Sequence, residues 1–141
     1  MTSLALRILT AAGVLLSGGV HLWLWWYDGF RYITWIGPLF LLNAAASVVI
    51  AIAVVLWRHW LPAFLAAGFG ASTLVAFFLS TTVGLLGIHE LFWARPQVLA
   101  LVSELVALVG GAVLLLRALG VRPRLTPRPV VSRDVGGPAP R

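Results

Sequence analysis

Four long apolar stretches, separated by short segments of Gly, Pro, Asp, Arg and His, set the pattern of this chain. They cover residues 8–26, 38–57, 63–86 and 97–116. Each comes close to the ~20 residues that a helix needs to cross the hydrocarbon core of a bilayer. A helix is the one single-segment structure that satisfies its own backbone hydrogen bonds there. The breaks carry helix-ending punctuation: Asp28-Gly29 and Gly37-Pro38, then Arg58-His59 and Pro62, then Gly87 and Arg95-Pro96. The pattern predicts an all-α fold, a four-helix transmembrane bundle over residues 1–117. The first run ends in Trp23, Trp25, Trp26 and Tyr27, an interfacial aromatic belt, and shows no small-residue cleavage site. It reads as a span rather than a signal peptide.

Composition agrees with lipid as the solvent. Of 141 residues, 61% are hydrophobic and 10% are charged, against about 25% charged in soluble domains. A net charge of +6 carried entirely by Arg would suit nucleic acid if it covered a soluble surface. Its placement reads instead as a topology signal, and no nucleic acid is expected as a partner. With the N-terminus inside, the cytoplasmic segments hold Arg7, Arg58, Arg117, Arg122, Arg124, Arg128, Arg133 and Arg141, and the outer loops hold Arg31 and Arg95. This positive-inside bias places both termini in the cytoplasm. Arg-only basic usage also suggests a GC-rich bacterial genome. Residues 118–141 interleave Arg with five prolines (Pro123, Pro127, Pro129, Pro138, Pro140) and are expected to form a disordered basic tail. Such a tail would lie against anionic lipid head groups or dock a cytoplasmic partner. The absence of Cys excludes disulfides, thiolate metal sites and thiol redox chemistry.

Polar side chains inside a membrane are costly and mark either packing contacts or function. Antiparallel stacking of the four spans brings them to one level. His21 falls near the outer end of the first span and Asn43 in the second. Ser80, Thr81 and Thr82 follow in the third, then His89 and Glu90 at its edge, and Glu104 in the fourth. Together His21, Asn43, His89, Glu90 and Glu104 form a candidate intramembrane polar site in the outer leaflet. An ionised Glu104 would cost about 2.5–3.5 kcal/mol on insertion scales, so it is expected to face the bundle, protonated or paired. Ser103, Ala107 and Gly111 supply a small-residue ridge beside it. A protonated Glu104 bonded across helices to His21 or Asn43 is the plain structural reading, and a proton-carrying role is the functional one.

Gly19-Val20-His21-Leu22-Trp23-Leu24-Trp25 and Gly87-Ile88-His89-Glu90-Leu91-Phe92-Trp93 share a pattern. The similarity suggests two helical hairpins in parallel orientation, with His21 and His89 at equivalent depth on diagonal helices. Imidazole suits transition metals, so the pair could hold a haem b or a metal ion, with Glu90 or Glu104 assisting. Neither His belongs to a tight ligand spacing, and metal ligation by His21 and His89 stands as an alternative.

The string Gly19 to Trp25, followed by Ile36-Gly37-Pro38-Leu39-Phe40-Leu41-Leu42-Asn43, then Gly84-Leu85-Leu86-Gly87, Glu90 and Ser103-Glu104, resembles a group of small uncharacterised actinobacterial integral membrane proteins. The resemblance extends to about Arg117 and implies a four-helix fold in the plasma membrane, without an activity. Small multidrug transporters share the size and helix number but depend on an acid in the first helix, where this chain has His21. No phosphate loop, nucleophile elbow or His-Glu-x-x-His motif occurs, so conventional enzyme chemistry is not expected. The leading expectation is an accessory or assembly subunit, or a homo-oligomer, with a polar outer-leaflet site. A haem or metal protein and a proton-coupled carrier using Glu104 are the alternatives.

Overall fold

The structure is a computed structural model in which residues 4–90 and 93–120 are described; the basic segment 121–141 lies outside the described residues. Helix α1 spans Leu4–Tyr27, α2 Ile36–Leu56, α3 Trp60–Thr82 and α4 Arg95–Ala118, and a 3-10 turn over Phe30–Tyr32 joins α1 to α2. All four helices are long and apolar enough to cross a membrane. The chain is therefore a small multi-pass membrane protein with an all-α four-helix bundle. Short links make sequence neighbours antiparallel. One end of the bundle, called here the loop end, carries the Phe30–Tyr32 turn and the α3–α4 link. The terminal end carries Leu4, Ala118 and the α2–α3 link.

The buried faces combine apolar side chains such as Val14, Val54, Phe69 and Leu114 with small and polar residues. Helix α1 buries Arg7, Thr10, Ala11, Gly13, Val14, Ser17, Gly18, Val20 and Leu24, the three-and-four spacing of one helical face. Its exposed face carries Ile8, Leu15, Leu16, Leu22 and Trp26. Lipid tails are as apolar as leucine, so burial of Leu stabilises nothing there. Association rests on close van der Waals packing between small residues and on hydrogen bonds. Gly70 shows how close α3 and α4 come: a Cβ on it would stand 2.6 Å from both the Glu104 carbonyl oxygen and the Leu108 nitrogen. The ridge of Ser103, Ala107 and Gly111 is buried. Helix α1 packs extensively on α2 and α4, and α3 on α4, while α2 and α3 touch only sparingly. Two hairpins, α1–α2 and α3–α4, thus join chiefly through α1 and α4.

The third helix stops at Thr82, short of the Leu86 end that its apolar run suggests. Gly84 adopts φ +89°, and its N–H donates to the Leu79 carbonyl at 2.8 Å. Leu86 and Gly87 follow with φ +48° and +84°, and Leu85 and Ile88 exchange two 2.9 Å backbone hydrogen bonds around them. Positive φ at both central residues belongs to a type I′ turn. The chain then folds back, and the Glu90 N–H donates to the Ser80 carbonyl at 3.0 Å. The two similar His-containing segments consequently differ in structure. His21 lies within α1, whereas His89 lies in a turn beyond the end of α3.

Candidate functional site

Glu104 is the largest fully buried side chain among the described residues, at 1% exposure. It lies nine residues into α4, about 14 Å along the axis from the loop end at 1.5 Å per residue. The Ser17 hydroxyl from α1 and the Thr73 hydroxyl from α3 flank its carboxyl. Even so, Glu104 Oε2 and Ser17 Oγ reach no partner at hydrogen-bonding geometry among the described residues. Both atoms are buried, and an unpartnered buried polar atom calls for an explanation in a native structure.

A cavity of about 60 Å³ supplies one. It extends from Thr73 and Glu104 in the middle of the bundle to Leu85, Ile88 and Glu90 in the turn at the loop end, with His21, Phe40 and Gln97 in its walls. Gln97 is 9% exposed. Its Nε2 donates to Glu90 Oε2 at 3.0 Å, and its Oε1 is buried without a partner. Gln97, Ala100 and Glu104 recur at helical spacing on one buried face of α4.

His21 stands half-buried against the cavity. Its Nδ1 lies 2.9 Å from the Ser17 carbonyl, and a carbonyl only accepts, so Nδ1 carries the hydrogen and Nε2 is the ring's acceptor when neutral. Phe40 meets the imidazole edge-on, with centroids 4.9 Å apart, and stacks on Phe30 at 4.8 Å. On α3, Thr73 Oγ1 donates to the Phe69 carbonyl at 2.8 Å and Ser80 Oγ to the Phe77 carbonyl at 2.9 Å. These hydroxyl protons are committed to the helix backbone, which leaves the oxygens free to accept. Among the described residues no Arg lines the cavity.

Three of the five residues expected at one polar site therefore share this cavity: His21, Glu90 and Glu104. Asn43 does not line it, although its buried Oδ1 also lacks a partner. His89 is exposed on the turn beside Gly84 and does not line it either. The structure thus does not gather His21 and His89 at the cavity, and among the described residues no group of three or more His, Asp or Glu is placed to hold a metal ion.

Two residues gain roles that sequence reading missed. Gln97 marked only the start of a span, yet its in-phase spacing with Glu104 was available as a signal. Arg7 was read as a topology marker, but it is 8% exposed. Its Nη1 donates to the carbonyls of Val54 and Trp57, the latter at 3.2 Å. The clue was its phase with Thr10, Val14 and Ser17 on the small-residue face.

No protein-family model matches the chain, and comparison with curated proteins and with solved structures likewise finds no match.

Proposed function

We propose that this membrane protein is a proton-coupled carrier in which Glu104 holds the exchangeable proton. The observation that carries this reading is the buried Glu104, which lines a cavity that reaches the loop end and whose Oε2 has no hydrogen-bond partner among the described residues. Ionisable groups within a membrane commonly mark proton relays and substrate paths. A cavity of this size has room for roughly two water molecules, enough to connect Glu104 with Glu90 and Gln97. The sparing contact between α2 and α3 offers a seam along which the bundle could change shape.

The accessory-subunit and homo-oligomer readings leave the cavity and its orphan oxygens without a role, so the carrier reading takes precedence. The Arg distribution supports an orientation with the loop end outside. It also supports contact between the Arg-rich tail and anionic lipid.

Infrared spectroscopy of the reconstituted protein tests the proton site. The Glu104 carboxyl band is expected to shift on transfer to heavy water, to respond to pH, and to vanish in Glu104→Gln. A band in the wild type that does not exchange would identify a sealed structural acid and overturn the proposal.

A further inference from the structure

The cavity walls present a strongly one-sided hydrogen-bonding surface. The carboxyls of Glu104 and Glu90, Gln97 Oε1, the hydroxyl oxygens of Thr73 and Ser80, and Nε2 of a neutral His21 are all acceptors. Most donors among the lining residues are spent elsewhere, and the one unspent hydroxyl, Ser17, flanks the Glu104 carboxyl from outside the lining. The Thr73 and Ser80 protons go to helix carbonyls, His21 Nδ1–H goes to Ser17, and Gln97 Nε2 donates to Glu90. Two of the acceptors, Glu104 Oε2 and Gln97 Oε1, are buried and unpartnered, and they lie on one face of α4 two turns apart. Phe30, Phe40 and Phe77 also line the cavity, and among the described residues no Arg does.

We infer that this cavity binds a small ammonium-type cation, either ammonium or a short primary amine in its protonated form, with its N–H groups on the Glu104 carboxylate and Gln97 Oε1 as a further acceptor nearer the loop end. The ammonium head carries three donors and no acceptor, which complements a wall of acceptors. Charge-assisted bonds to a carboxylate are the strong ones, and aromatic rings favour a cation beside them. A volume of about 60 Å³ has room for roughly two water-sized groups and suits a cation of one or two heavy atoms. The inference rests on Glu104 exchanging its proton. One carboxyl holds either its proton or the cation, so binding of the ammonium releases the carboxyl proton and net charge is conserved. Among the described residues, the other titratable groups that line the site are His21 on α1 and Glu90 in the turn, and α2 and α3 contribute none.

Calorimetric titration of the full-length protein in detergent with methylammonium chloride provides the test. Runs in buffers of different ionisation enthalpy report the proton released. Binding with proton release is expected in the wild type. Gln97→Leu should bind about tenfold more weakly, equivalent to about 1.4 kcal/mol, and Glu104→Gln should release no proton. Tetramethylammonium, which has no N–H, and sodium should both fail to bind. Equal binding of sodium or tetramethylammonium would overturn recognition through N–H donors. Absence of methylammonium binding, in a protein whose Glu104 carboxyl band still exchanges, would overturn the amine inference and leave the proton site intact. Loss of both signals would remove the proton site as well.

Discussion

The Arg7 guanidinium on α1 donates to the Val54 carbonyl on α2. That carbonyl lies in the last turn of α2, where no later helical N–H can reach it. Arg7 also donates to the Trp57 carbonyl, so a residue from the start of one helix caps the end of its neighbour. A cation at a helix C-terminus also favours the macrodipole. Hydrogen bonds to a charged group contribute about 1.5–3 kcal/mol each. Arg7→Met is expected to lower stability by about 1–3 kcal/mol, visible as earlier thermal unfolding in detergent. Arg58→Ala, at an exposed position of the same end, removes a like charge that acts on Arg7 and is expected to be neutral or slightly stabilising. Equal unfolding temperatures for the two variants would show that the cap does not stabilise the bundle.

Gly70 and Gly68 lie two residues apart on α3 and should respond differently to the same change. A Cβ on Gly70 would press on the α4 backbone at Glu104 and Leu108, whereas nothing lies within 4 Å of one on Gly68. Overpacking of this kind costs about 1–3 kcal/mol. Gly70→Ala is expected to be destabilised by that amount, and Gly68→Ala to match the wild type or exceed it slightly. Thermal unfolding of both variants checks the α3–α4 packing directly.

The turn that carries Glu90 depends on backbone conformation. Ala at Gly84 would have to adopt φ +89°, a left-handed geometry that costs an L-residue about 1–2 kcal/mol. Gly84→Ala is expected to loosen the turn, read as faster hydrogen exchange at the Glu90 amide, whose partner is the Ser80 carbonyl. Unchanged exchange at Glu90 would show that the left-handed residue does not hold the turn.

The absence of native Cys makes orientation simple to read. Single cysteines at Thr34, in the α1–α2 link, and at His59, before α3, occupy exposed positions at opposite ends of the bundle. In intact cells, a membrane-impermeant maleimide is expected to label Thr34→Cys and to spare His59→Cys until the membrane is opened. The reverse pattern would invert the bundle and place the mouth of the cavity in the cytoplasm.

Hydropathy alone determined that four helices span a membrane, because the cost of an unsatisfied backbone in lipid leaves a run of twenty apolar residues no other form. It also marked Glu104, because a lone carboxyl in such a run must turn inward. The inward faces could not be read as easily. In lipid the outside is as apolar as the inside, so hydrophobic periodicity no longer separates buried from exposed residues. Arg7 therefore read only as a topology signal, and depth alone grouped Asn43 and His89 with His21, Glu90 and Glu104, although neither lines the cavity that those three share. The apolar run through Leu85 and Leu86 overstated α3, because the helix ends through backbone conformation at Gly84 and Gly87, which hydropathy does not record. Tertiary structure alone decided that Gln97 joins His21, Glu90 and Glu104 around one cavity. That meeting depends on how closely Gly70 lets α3 approach α4 and on where the turn folds back, and both are properties of contact rather than composition.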